Sequence, residues 1–192
     1  MARPPLAHDK ILAAARRIVE RDGAGALTFD ELVRESGITR GGITYHFPTK
    51  EDLLRGLLES DFRKWDASEA ALTPSDCDPE TARLLGFIRT LTAQDESHRR
   101  FLCGMLSAAT LDPSLMDPCR QELRERLGRK QWTDRDLRLH LVHLAAEGLM
   151  WQELFQMYAM PAPARAHLVA LMEQLAREWG GSQTPKKIAK EA

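Results

Sequence analysis

The run Thr39-Arg-Gly-Gly-Ile-Thr-Tyr-His46 carries side chains suited to contacting a nucleic-acid duplex. Arg40 can donate to a guanine edge or a phosphate, and Thr44 offers a hydroxyl and a methyl. Tyr45 and His46 can donate to phosphate oxygens. Gly41 and Gly42 let backbone approach backbone, at about 1 kcal/mol each in helix propensity. Thr49 and Lys50 bring amides, a hydroxyl and a cation to a helix start, an arrangement that holds phosphate. A second group, His140, His143 and Glu147, stands at i, i+3 and i+7 on one helix face and could ligate a metal. Three ligands from one straight helix close poorly around an ion, so a solvated or interfacial face explains them better. With no nucleophile motif, phosphate-cradling glycine loop or cofactor motif beside them, the chain reads as a non-enzyme without metal or cofactor.

Presenting residues 39–50 to a duplex requires a helix-turn-helix. Thr28-Phe-Asp-Glu31 reads as a capping box that opens a short helix with Phe29, Leu32 and Val33 facing inward. Gly37 ends that helix, Ile38 anchors the turn, and Thr39 caps the next helix, Arg40–His46. On spacing alone Gly41-Gly42 reads equally as a loop. Upstream, Ile11, Leu12, Ala15, Ile18 and Val19 form one stripe of a helix over His8–Asp22, stopped by Gly23 and Gly25. Downstream, Pro48 forbids continuation and Thr49 caps a fourth helix of about twenty residues. After a loop at Leu72–Pro79, helices are expected near Pro79–Gln94, Glu96–Thr110, Pro113–Leu127, Thr133–Ala159 and Pro163–Trp179. No segment alternates with period 2, so the expected fold class is all-α.

A hydrophobic content of 43% over 192 residues fits one or two globular helical domains and excludes a disordered chain. The net charge of −1 favours no partner. Its distribution is mildly asymmetric: residues 1–50 hold eight Lys or Arg against six Asp or Glu, and the remainder 19 against 22. That pattern fits a DNA-contacting head on an acidic body. Cys77, Cys103 and Cys119 form no C-x-x-C pair and read as reduced thiols. The opening MARPPLAHDK lacks the apolar segment of a signal peptide, and no run approaches the length of a membrane span. A cytoplasmic protein with a flexible tail over residues 181–192 is expected.

Ile11-Leu-Ala-Ala-Ala-Arg-Arg-Ile-Val19, Leu27 to Phe47, and Pro48-Thr-Lys-Glu-Asp-Leu-Leu54 together resemble the TetR/AcrR family of repressors. The Tyr-His-Phe-x-x-Lys-x-x-Leu-Leu ending is the most specific part, and the resemblance covers about the first quarter of the chain. It implies an all-helical homodimer of about nine helices, the first three forming the DNA-binding head. Residue by residue it implies that Thr28 and Thr39 are phosphate-contacting caps and that Arg40, Gly41 and Gly42 face bases. It further implies that Tyr45 and His46 touch backbone and neighbouring bases, and that Lys50 holds a phosphate. Thr44 stands where the family often has an aromatic, and Gly42 where it often has Thr or Ser. Base readout is therefore expected to be sparse, and no relative's operator transfers to this chain.

The resemblance further implies double-stranded operator DNA and an unidentified small-molecule effector as partners, dimerisation through the last two long helices, and no membrane. The residues agree with such a dimer. Leu137, Leu141, Leu144, Ala145, Gly148, Leu149, Gln152 and Phe155, with Leu168, Leu171, Met172, Leu175 and Trp179, exceed what one inward stripe needs. A monomer's own core is the other reading. Candidate effector contacts are Trp65, Phe87, Leu91, Phe101, Met105, Leu106, Met150 and Trp151, with Arg83, Gln94, His143 and Glu147 as polar partners. Aromatic and Met residues at helical spacing also read as plain core. The resulting expectation is a helix-turn-helix DNA-binding domain over 1–50 and a ligand-binding and dimerisation domain over 51–180, a repressor released from its operator by ligand. The alternative is a helical DNA-binding or interaction module without ligand control.

Overall fold

The computed structural model describes residues 7–181. The expected tail over 181–192, except Gly181, and the first six residues of the expected leaderless N-terminus lie outside the described residues. Within them the chain is all-α, with nine α-helices and no strand: α1 (Ala7–Asp22), α2 (Phe29–Ser36), α3 (Arg40–His46), α4 (Lys50–Leu72), α5 (Pro79–Thr92), α6 (Glu96–Leu111), α7 (Asp117–Gly128), α8 (Asp134–Leu154) and α9 (Ala162–Gly181). No helix among them is long and apolar enough to cross a membrane.

Most boundaries follow local capping chemistry. Gly23 ends α1 at φ 79°, in the left-handed region that glycine adopts without a Cβ clash. Asp78 accepts from the amides of Glu80 and Thr81 at the start of α5, and Thr133 and Asp136 form a reciprocal capping box on α8. Three expectations need correction. The helix expected over Pro113–Leu127 is a 3-10 turn, Pro113–Met116, followed by α7. Pro118 has no N–H to give the carbonyl four residues back, so one continuous ladder cannot form. The helix expected to reach Ala159 stops at Leu154. Gln156 there turns left-handed at φ 52°, and the Met157 amide donates back to the Gln152 carbonyl. Finally, the Thr28 box is half made: Thr28 accepts from the Glu31 amide, but the Glu31 carboxylate is taken by Arg21 and Arg34.

The chain divides into two compact units, Met1–Lys64 with Asp95–Gln121, and Trp65–Gln94 with Glu122–Ala192. In the first, Ile11, Ile18, Leu32, Ile43, Leu53 and Phe101 are fully buried in one core. Each such side chain contributes about 1.5–3 kcal/mol. Gly104 lets α6 approach α1: a Cβ there would stand 2.6 Å from Val19 Cγ1. At the edge of this core Arg16 donates to Asp61 at 2.6 Å and to Glu20 at 2.7 Å, and its guanidinium lies 4.1 Å from the centre of the Phe101 ring. His98 stands 3.6 Å from the same Asp61.

In the second unit α5, α8 and α9 enclose Leu85, Ile88, Leu139, Val142, Ala146 and Met172. Gly180 is needed where α9 meets α5, because a Cβ there would come within 1.9 Å of Thr81 Oγ1. Arg135 bridges the ends of three helices, donating to the Gly180 carbonyl at 2.9 Å and to Asp78 at 2.5 Å.

Candidate functional site

The sequence between Thr28 and Lys50 folds as two short helices joined by a three-residue turn. Gly37 closes α2 at φ 69°, its amide donating to the Val33 carbonyl. Thr39 then accepts from the Gly42 amide at 3.2 Å and opens α3. Leu32, Ile43 and Phe47 sink into the first core, which fixes which face of α3 stays outside. Gly41 and Gly42 are helical, so the loop reading of that pair fails.

The residues singled out for DNA contact come together around α3. Thr28, Thr39, Arg40, Gly41, Tyr45 and Thr49 are exposed, while Gly42, Thr44, His46 and Lys50 are half-buried. Tyr45 is 84% exposed, a large aromatic with its hydroxyl and ring edge in water. Arg40 donates to Asp30 at 2.7 Å, with its guanidinium 5.5 Å from the centre of the Phe29 ring. Its side chain remains 62% exposed and that of Asp30 82%, so water screens the pair and its net worth is about 0–1 kcal/mol. Thr44 turns its hydroxyl back to the Arg40 carbonyl at 3.1 Å. The Lys50 ammonium reaches the Gly25 carbonyl at 3.4 Å, and Thr49 and Asp52 cap α4 reciprocally.

The two glycines, treated alike in the sequence, differ in space. A Cβ on Gly41 would meet nothing within 4 Å, whereas one on Gly42 would press on Ile38 Cγ2 at 2.9 Å. Gly42 therefore serves the packing of the turn, and Gly41 is the open position on the outer face. Sequence reasoning missed two neighbours. Asp30 is the carboxylate that Arg40 holds, and an i, i+10 pair across a turn leaves no periodic signal. His8, at the start of α1, stacks on Phe47 with ring centres 5.0 Å apart and lies 6.0 Å from the His46 ring.

Seven of the eight apolar residues expected to contact an effector, all but Leu106, are the stronger candidates, and they are not gathered in one place. Phe101 and Met105 are close-packed in the core of the first unit. Leu91 is buried in the second core, with Trp65, Phe87 and Met150 packed against it. Trp151 is exposed and stacks on Phe155. Of the seven, Phe87 lines a cavity of about 660 Å³ in the second unit. One wall is the first half of α5, with Arg83, Leu84 and Phe87. The facing walls are the end of α7 with the following loop, and the start of α8. Inside it, the Phe87 ring packs on His143 at 4.2 Å, and His143 stacks on His140 at 5.9 Å. Burial, with help from His143, holds His140 below the ordinary histidine value. Contact with His143 holds the Glu147 carboxyl below the ordinary glutamate value. Among the described residues no group of three or more His, Cys, Asp or Glu is placed to hold a metal ion.

Two family models match the chain. "Bacterial regulatory proteins, tetR family" matches residues 11–57, and "Tetracyclin repressor-like, C-terminal domain" matches residues 81–177. The HTH-type transcriptional regulator QacR of Staphylococcus aureus is 39% identical over 57 residues, 30% of each chain. The curated relatives are matched over no more than 65% of their own length. Among solved structures, a transcriptional regulator from Rhodococcus sp. Rha1 superposes with a TM-score of 0.66 at 19% identity, covering 89% of this chain and 94% of that one. The multidrug binding protein EbrR complexed with imidazole superposes with a TM-score of 0.59 at 21% identity, over 89% and 95%. These likenesses are to the same all-helical fold.

Proposed function

Because the chain belongs to the TetR family of bacterial regulatory proteins, we propose that it is a cytoplasmic, homodimeric transcriptional repressor that leaves its operator when a small molecule binds. The observation that carries this reading is the outer face of α3. Arg40 and Tyr45 stand in water there on a helix held by buried Ile43 and Phe47. In this reading residues 1–50 form the DNA-binding head. α3 lies in the major groove with Arg40, Gly41 and Thr44 towards base edges and Gly42 behind them. Thr28, Thr39, Tyr45, His46, Thr49 and Lys50 hold the flanking phosphates. Residues 51–180 form the effector-binding and dimerising body, and 181–192 the tail.

Dimerisation through α8 and α9 is supported by an apolar stripe turned away from the second core. Leu137, Leu141, Leu144 and Trp151 on α8, Phe155 just past its end, and Leu171 on α9 are large and exposed. Leu139, Val142, Ala146 and Leu149 already fill the inward face. A stripe of this size on a monomer would leave a contiguous apolar patch in water. In the dimer the two heads sit about 34–36 Å apart, one turn of duplex, and ligand shifts the population towards another spacing.

A mobility-shift titration with duplex from upstream of the protein's own coding region tests the reading. Binding should exceed that to shuffled sequence and weaken steeply between about 50 and 200 mM salt. Sedimentation should give twice the chain mass, and Leu141→Glu with Phe155→Glu should reduce it to one. Equal affinity for specific and shuffled duplex would contradict a repressor.

A further inference from the structure

The cavity of the second unit is unevenly charged. Five cationic side chains, Arg83, Arg126, Arg129, Lys130 and Arg135, line it against two carboxylates, Glu80 and Asp136. The charges are not mixed evenly along it. Lys130 pairs with Glu80 and lies 3.5 Å from Asp136. Arg135 pairs with Glu80 and Asp78. Two cations there meet three carboxylates, so neither Lys130 nor Arg135 is left unpaired.

Elsewhere along the lining the cations are held only loosely. Arg83 has only long contacts, 3.5 Å to Glu69 and 3.4 Å to Glu122. Arg126 has no ion-pair partner among the described residues and lies 3.3 Å from the imidazole Nε2 of His143. Glu147 touches the same nitrogen at 3.4 Å and, like Glu69 and Glu122, is not itself part of the cavity lining. Arg129 makes no hydrogen bond or ion pair with any described residue. The lining also has an apolar part, Leu84, Phe87, Leu127 and Leu139. Like charges converging on a partly apolar recess repel one another unless an anion joins them, and the low-dielectric wall strengthens that attraction.

We infer that this cavity binds a hydrophobic organic acid, its anionic group held between Arg126 and Arg129 and its apolar body against Leu84, Phe87 and Leu139. The inference rests on the effector-binding role proposed for the body and names the chemical class of the effector. The volume of about 660 Å³ suits a molecule of one to three rings or a branched acid of that size. A cationic or neutral ligand would leave Arg126 and Arg129 without an ion-pair partner.

Two dyes with the same aromatic body separate charge from shape. The full-length chain is titrated by fluorescence with 8-anilinonaphthalene-1-sulfonate and, in parallel, with N-phenyl-1-naphthylamine, which lacks the sulfonate. The expected result is one saturable site per chain with a Kd for the sulfonate at least about tenfold lower than for the neutral dye. Arg126→Gln should raise the sulfonate Kd about tenfold, and Arg129→Gln about threefold, with the neutral dye unchanged within about twofold. Arg129 is exposed and unbonded among the described residues, so its variant keeps the fold even if Arg126→Gln does not. Equal Kd values for the two dyes, or a parallel loss of both in the Arg129 and Arg126 variants, would overturn the inference. The same preparations are carried into the mobility-shift titration. DNA binding without dye selectivity removes this inference alone, whereas dye selectivity without DNA binding removes the repressor reading and leaves the organic-acid site.

Discussion

Arg16 and Arg40 belong to the same unit and have the same kinds of partner, yet their surroundings are opposite. Each pairs with an aspartate, at 2.6 Å to Asp61 and 2.7 Å to Asp30, and each lies beside a phenylalanine ring. Arg16 and Asp61 are 19% and 10% exposed, whereas Arg40 and Asp30 are 62% and 82% exposed. On the inner side, neither charge can exchange its partner for water without loss, so the pair ties α1 to α4. On the outer side, water competes for both groups, so Arg40 is oriented by Asp30 and Phe29 but free to trade the carboxylate for a phosphate or a base edge. Burial, rather than the identity of the pair, separates a structural arginine from one left available for the DNA contact proposed above.

Variants in and beside the two pairs test that contrast. The largest effect is expected from Asp61→Leu, which leaves Arg16 half-satisfied beside the core and should cost about 3 kcal/mol in urea unfolding. A cost below about 1 kcal/mol would make the two pairs equivalent. Arg40→Ala should leave stability within about 0.5 kcal/mol and weaken operator binding by about 1–3 kcal/mol. If Arg40 reads a base, the loss falls on the specific duplex; if it holds a phosphate, the salt slope drops by about one unit instead.

Gly41→Ala should raise stability by up to about 1 kcal/mol, since the added methyl meets nothing in the free protein. The same methyl should lower affinity for DNA by crowding the groove, so stability and binding move in opposite directions. Asp30→Asn should strengthen DNA binding by a few-fold, because it releases Arg40 and removes a negative charge near phosphates. The smallest effect concerns His98, whose imidazolium form is disfavoured chiefly by burial, with Arg16 adding to this and Asp61 opposing it. Its folded value lies below the ordinary 6.5. As pH falls through that value the unfolded chain takes up the proton first, so stability declines until the folded value is reached. His98→Asn should flatten this part of the acid limb in urea titrations between about pH 7 and 5.

What could be read from the chain alone was what depends on near neighbours. Thr39 capping α3, Asp78-Pro79 opening α5 and Thr133 opening α8 are i to i+3 relations, and each stands in the structure. The inner cluster was illegible because its members are 45 and 82 residues apart along the chain. The cavity was illegible for the same reason: Arg83 and Arg126 come from helices that only packing brings together. Phe101 and Met105 looked like pocket residues because an aromatic at helical spacing is the same pattern whether it meets a ligand or a core. On α8 the pattern showed an excess of leucines but not which stripe faces inward, and the outward stripe proved to carry Leu137, Leu141 and Leu144. The left-handed Gln156 that ends α8 has no signal in residue type, since glycine or asparagine is the usual marker.

The central claim is that the outer face of α3 reads DNA. The most direct test is the ratio of affinities for the upstream duplex and a shuffled duplex, measured by fluorescence anisotropy for the native chain and for Arg40→Ala with Tyr45→Ala. The expected ratio is about 10³ or more for the native chain, falling at least about tenfold in the double variant while its unfolding midpoint stays put. A native ratio near one, or a double variant that keeps the full ratio, would contradict it.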